Sequence, residues 1–121
     1  MPQKITLRHL YNTLEYDLKL KLIAGEAGLD KKIVSVAEVN RPGLALCGYY
    51  YGFANDRIQV MGAGEIEYVE NISSEERRSI FKKMLSYDIP CFVVTRGLRV
   101  PQELIEECEI SGTPLFSSDL I

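Results

Sequence analysis

The sequence has no tryptophan, a single histidine and three cysteines, and nowhere does a glycine stand directly before a lysine. The last absence excludes a phosphate-cradling P-loop. Such a loop closes on Gly-Lys-Ser/Thr so that amide donors hold the phosphates and the lysine neutralises them. His9, Cys47, Cys91 and Cys108 share no C-x-x-C or H-x-x-x-H spacing, so no metal site is expected. An odd, widely spaced set of cysteines is no disulfide framework either; it suits a reducing compartment, and a cytoplasmic location is expected. No apolar run approaches the ~20 residues that span a bilayer, and no basic start followed by an apolar run marks a secretory leader. No membrane partner is expected. A formal charge of −3 and a pI near 5.2 exclude a basic footprint over the whole surface, so no nucleic-acid partner is expected.

What is present describes one soluble domain over 1–121. Apolar residues make up 46% and charged residues 26% of the 121, enough for one core. Thr6 caps a first helix with Leu7, Leu10, Tyr11 and Leu14 on one face. From Leu18 to Leu22 apolar and lysine residues alternate, the period of a strand with one wet face. Gly25 and Gly28 bracket a turn, and Ile33 to Val39 is a second strand rich in β-branched residues. Arg41-Pro42-Gly43 breaks regular structure, and Leu44 to Phe53 reads as a short helix or turn followed by a packed loop. Ile58 to Met61 is a third strand, ended by Gly62-Ala63-Gly64.

The last third is the clearest. Ser73-Ser74-Glu75-Glu76 is a capping box, and Ile80, Phe81, Met84 and Leu85 form the helical stripe behind it. Cys91 to Val94 is a continuous apolar run, as in a strand covered on both faces. Pro101 suits the first turn of another helix, with Leu104, Ile105 and Cys108 inward; Gly112 ends it, and Pro114-Leu115-Phe116 is a last strand. The alternation implies an α/β fold with a small, mostly parallel sheet flanked by helices.

No reaction follows from these residues, and no catalytic residue is assigned. Gly62-x-Gly64-x-x-Glu67 lacks the third glycine of a dinucleotide fingerprint and reads as a turn. Glu103, Glu106, Glu107 and Glu109 read as a solvated helix face. One constellation stands out. Arg41 follows the second strand and Arg96 follows Cys91–Thr95, and parallel sheets gather ligands at the carboxyl ends of their strands. Neighbouring strands would bring Arg41, Arg96 and Arg99 to one crevice with Asn40 and Thr95, a site for a small anion or phosphorylated ligand. The alternative is that these arginines pair with acidic side chains or cap carbonyls.

Asn40-Arg41-Pro42-Gly43-Leu44-Ala45-Leu46-Cys47-Gly48-Tyr49, running on through Phe53-Ala54-Asn55-Asp56-Arg57-Ile58-Gln59-Val60-Met61-Gly62, closely resembles the N-terminal domain of bacterial HPr kinase/phosphorylases. Leu22–Gly25, Gly28–Ile33, Cys91–Gly97 and Pro101 fit the same family in order and spacing. The resemblance implies a domain similar in fold to the first domain of muramyl ligases. It also implies a longer, bifunctional enzyme, hexameric, that phosphorylates a serine of HPr and removes the phosphate by phosphorolysis. That activity sets carbon catabolite repression through the phosphotransferase system. ATP and magnesium would belong to a C-terminal P-loop domain and no cofactor to these residues. The implied partners are that domain, other subunits and HPr. A stand-alone module binding a small anion or phosphorylated metabolite is the alternative.

Tyr49, Tyr50, Tyr51 and Phe53 place four aromatics within five positions. Four such side chains do not all point inward easily, so one or two are expected to face a partner subunit or ligand; the alternative is a fully packed loop.

Overall fold

The computed structural model describes residues 4–36 and 38–120. Strand β1 (Ile5–Thr6) leads into helix α1 (Leu7–Leu18), where the Thr6 hydroxyl accepts the N–H of His9 at 3.1 Å. The helix runs through Leu18, which sequence alternation assigns to a strand. Lys19 turns the chain at φ 50°, and β2 spans Leu20–Ala24. The stripe Leu7, Leu10, Leu14, Leu18 has helical spacing as well, and the helix claims the residue that both periods share.

The single strand expected over Ile33–Val39 is two. Strand β3 (Ile33–Val34) pairs antiparallel with β1, whereas β4 (Val39–Asn40) joins the main sheet. Ala37, between them, lies outside the described residues. β-Branched composition suits either sheet and so does not reveal where the chain passes from one to the other.

Helix α2 (Gly43–Leu46) is followed by a loop to β5 (Ile58–Met61). The glycines after β5 do not simply end a strand: they open helix α3 (Ala63–Glu70), whose Ile66 and Val69 are buried. Helix α4 (Ser74–Leu85) starts on the expected capping box, with the Ser73 hydroxyl accepting the Glu76 N–H at 3.1 Å. Strand β6 (Phe92–Val94), helix α5 (Gln102–Ser111) and strand β7 (Leu115–Ser118) complete the chain, and Gly112 ends α5 at φ 69°.

The five-stranded sheet runs β2-β7-β6-β5-β4, parallel except for β2 at one edge. Alternation along the strands sends Met61, Phe92 and Val94 to a core with Ile66, Phe81, Met84 and Leu104 of α3–α5. The opposite face meets α1, where Leu7, Leu10, Leu20 and Phe116 form a second cluster. An apolar groove of about 640 Å³ lies beside α1 on this face, lined by Leu10, Leu14 and Leu18 of the helix and by Val39, Ile58 and Val93 of the sheet. Among the described residues no helix is long and apolar enough to cross a membrane.

The acidic face expected on α5 is solvated only in part: Glu109 is exposed and Glu106 half-buried, but the other two glutamates are not. Glu103 and Glu107 are buried (9% and 6% exposed) against α4. Glu103 takes the Arg77 guanidinium at 3.1 and 3.2 Å and the Ser74 hydroxyl at 2.6 Å, and Arg78 spans Glu106 and Glu107. Arg77 also donates to the Val69 and Ile72 carbonyls, so one guanidinium ties α3, α4 and α5 together. Charge periodicity marks a helix face but does not say that another helix covers it with opposite charge.

Candidate functional site

The parallel strands bring the expected residues to one sheet edge. Asn40 pairs in register with Gln59 and Met61 with Val94, while the Thr95 N–H donates to the Met61 carbonyl at 3.1 Å. Asn40, which ends β4, with Arg41 after it, and Thr95-Arg96 after β6 therefore flank the carboxyl end of β5. Two strand spacings, roughly 10 Å, separate their backbones.

Arg41 does not stand free. Its Nε and Nη2 donate to Glu65 Oε1 at 2.9 and 2.7 Å, and the same oxygen accepts the Gly62 N–H at 2.7 Å. A carboxylate of the protein thus occupies the amino terminus of α3, where backbone donors and helix dipole favour negative charge. A Cβ on Gly62 would lie 2.6 Å from Arg41 Nη2, so a larger residue there would push the Arg41 side chain aside. Even so the Arg41 side chain remains 57% exposed.

Asn40 is set from below. Its Nδ2 donates to Gln59 Oε1 at 2.7 Å, and fully buried Gln59 donates in turn to the Ala54 and Arg57 carbonyls at 2.8 and 2.9 Å. One buried amide therefore fastens the loop after α2 to the sheet. Neither Gln59 nor Glu65 is singled out by the sequence. The signals were a polar residue at an inward strand position, and a glutamate three residues after the glycine that opens a helix.

Thr95 and Arg96 enter a tight turn with Gly97 and Leu98. Arg96 and Gly97 both have positive φ, 61° and 63°, and the Leu98 N–H returns to the Thr95 carbonyl at 3.1 Å. The Arg96 and Gly97 amides donate to the Leu120 and Ser118 carbonyls, each at 2.9 Å, so the chain after β7 uses them. The exposed Arg96 side chain makes no ion pair among the described residues. Arg99 lines a different crevice, beside Glu70, Arg77 and Glu103. Four of the five expected residues, Asn40, Arg41, Thr95 and Arg96, thus lie along one edge, and Arg99 is set apart.

The aromatic run divides in two. Tyr50 stacks on Tyr87 with centroids 5.3 Å apart, Phe53 meets both rings edge-on, and Lys83 lies 5.4 Å from the Tyr50 centroid. Burial pushes the Tyr50 hydroxyl pKa up, and its oxygen is buried with no hydrogen-bond partner among the described residues. Tyr49 and Tyr51 turn outward, 56% and 88% exposed, touching edge to face at 6.5 Å. Both line a cleft of about 100 Å³ together with Asn40 and Arg41. Cys91 and Cys108 are buried, which pushes both thiols up and leaves them as small apolar side chains; Cys47 is exposed.

Comparison with known proteins places this geometry in a family. The HPr Serine kinase N terminus family matches residues 5–121. An HPr kinase/phosphorylase of Latilactobacillus sakei subsp. sakei is 41% identical over 104 residues, covering 86% of this chain and 33% of the relative. That of Lacticaseibacillus casei (strain BL23) is 38% identical over 120 residues, covering 99% and 36%. That of Leptospira biflexa serovar Patoc is 40% identical over 104 residues, covering 86% and 32%. The chain thus spans about a third of the length of these relatives. The fold is similar to the CBS and DRTGG domains of the regulatory region of Clostridium perfringens pyrophosphatase, solved with the activator diadenosine tetraphosphate. The TM-score is 0.53 at 13% identity, covering 91% of this chain and 41% of that one. With a match running from β1 to the end of the chain and relatives near 40% identity, the chain belongs to the HPr serine kinase N-terminal family.

Proposed function

We propose that this chain is the regulatory and assembly domain of an HPr kinase/phosphorylase, a cytoplasmic enzyme whose phosphorylation of HPr sets carbon catabolite repression. The transfer chemistry, with ATP and magnesium, belongs to a C-terminal domain. These residues supply a contact surface for a partner subunit or a ligand through outward-facing Tyr49 and Tyr51, and an anion-responsive edge at Asn40, Arg41, Thr95 and Arg96. The observation that carries the reading is the family match over 5–121 in relatives named HPr kinase/phosphorylase. Two exposed tyrosines on a loop fixed by a buried amide further support a contact role, because rigid aromatics give contact area at small entropic cost.

The test uses the full-length protein carrying this domain, with and without residues 1–121. ATP-dependent phosphorylation of HPr is expected from both, with a changed oligomeric mass by light scattering and an altered response to phosphorylated metabolites in the shortened form. Identical mass and identical response would remove the proposed role.

A further inference from the structure

The anion edge and the outward tyrosines, expected from the sequence as separate features, share one cleft. Asn40, Arg41, Tyr49 and Tyr51 all line it, around about 100 Å³. Arg41 and Asn40 are held in place. Arg41 is oriented by Glu65 through Nε and Nη2, which leaves Nη1 uncommitted among the described residues. Asn40 is oriented by Gln59 through Nδ2, which leaves Oδ1 open among the described residues. Tyr51 keeps 88% of its surface in water, although Tyr50 and Phe53 beside it pack inward. An exposed ring pair next to a fixed guanidinium offers both a stacking face and a charge-assisted donor.

We propose that this cleft binds an aromatic ring carrying an anionic group, of the kind a nucleoside monophosphate presents. The ring stacks on Tyr51, with Tyr49 edge-on beside it, the anion takes Arg41 Nη1, and Asn40 Oδ1 accepts from a ring or sugar donor. The inference rests on the anion-edge reading above and narrows it from any small anion to one joined to a flat ring. Arg96, two strands away, is outside the cleft and is not required.

The test is titration of the 121-residue chain with AMP, adenosine and inorganic phosphate, following arginine side-chain and tyrosine ring signals by NMR. AMP is expected to bind more tightly than either half. Tyr51→Ala, at an exposed position that leaves the fold intact by circular dichroism, is expected to weaken AMP about tenfold, the usual loss of a stacking platform. Arg41→Gln is expected to reduce AMP to the affinity of adenosine. If phosphate moves the Arg41 signal as strongly as AMP does and Tyr51→Ala changes nothing, the ring proposal is overturned while the anion edge stands. Adenosine binding as tightly as AMP also overturns it. If none of the three moves Arg41 or Arg96 signals at millimolar concentration, both readings are overturned.

Discussion

Arg41 and Glu65, 24 residues apart, meet at 2.7 Å over the amino terminus of α3, so the protein supplies its own anion where an external one is expected to bind. Any ligand at this edge competes with Glu65 or uses the donors that Glu65 leaves free. Glu65→Ala is expected to strengthen phosphate binding at Arg41. It is also expected to cost about 1 kcal/mol of stability, through loss of the contact with the Gly62 amide and the helix dipole. Phosphate titration followed at the Arg41 side chain, with parallel urea melts, checks both. Unchanged phosphate affinity contradicts the competition.

A second prediction concerns two glycines. A Cβ on Gly28 would stand 1.9 Å from the Gly112 carbonyl oxygen, a backbone atom that cannot swing away, whereas nothing lies within 4 Å of one on Gly64. Gly28→Ala is expected to destabilise by more than about 2 kcal/mol. Gly64→Ala, in the first turn of α3, is expected to stabilise by up to about 1 kcal/mol. Urea midpoints of the two variants should move in opposite directions.

The Arg77–Glu103 pair sets an acid limit. The Arg77 guanidinium and the Ser74 hydroxyl hold the Glu103 carboxyl down to about 2, against an ordinary value of 4.5. Between those values the unfolded chain binds the proton and the folded one does not. The contribution is therefore complete above pH 4.5 and lost as pH falls toward 2. Glu103→Gln is expected to cost about 2 kcal/mol at pH 7 and to flatten the loss of stability over that window. An equal pH slope in the variant contradicts this.

Arg96 holds a positive φ of 61°, a conformation costing an L side chain about 1 kcal/mol. Asparagine tolerates it better, so Arg96→Asn is expected to raise stability by a few tenths to about 1 kcal/mol, measured by thermal melting. On the anion-edge reading the same change weakens phosphate binding. A gain in stability with no loss of binding assigns Arg96 to the turn alone.

Much of the architecture follows from local pattern. The Ser73 capping box, the inward run around Phe92, the αL glycine at Gly112 and the edge position of Asn40 and Arg41 are all visible in the chain itself. What escaped depends on encounters between distant residues. Glu103 and Glu107 look like a wet face because nothing near them in sequence announces Arg77 and Arg78. Helix α3 was hidden by the two glycines that open it, Gly62 and Gly64. The two destinations of the Ile33–Val39 segment are set by pairing partners, not by its own composition. Which aromatics of the 49–53 run turn inward is decided by Tyr87, more than thirty residues on.

The most direct test of the account is phosphate transfer itself. Incubated with ATP, magnesium and HPr, the 121-residue chain is predicted to leave HPr unmodified and ATP unhydrolysed, while the full-length protein that carries it phosphorylates HPr. Transfer to HPr by the purified chain alone, abolished by a single substitution within it, would contradict the assignment of these residues to regulation and assembly.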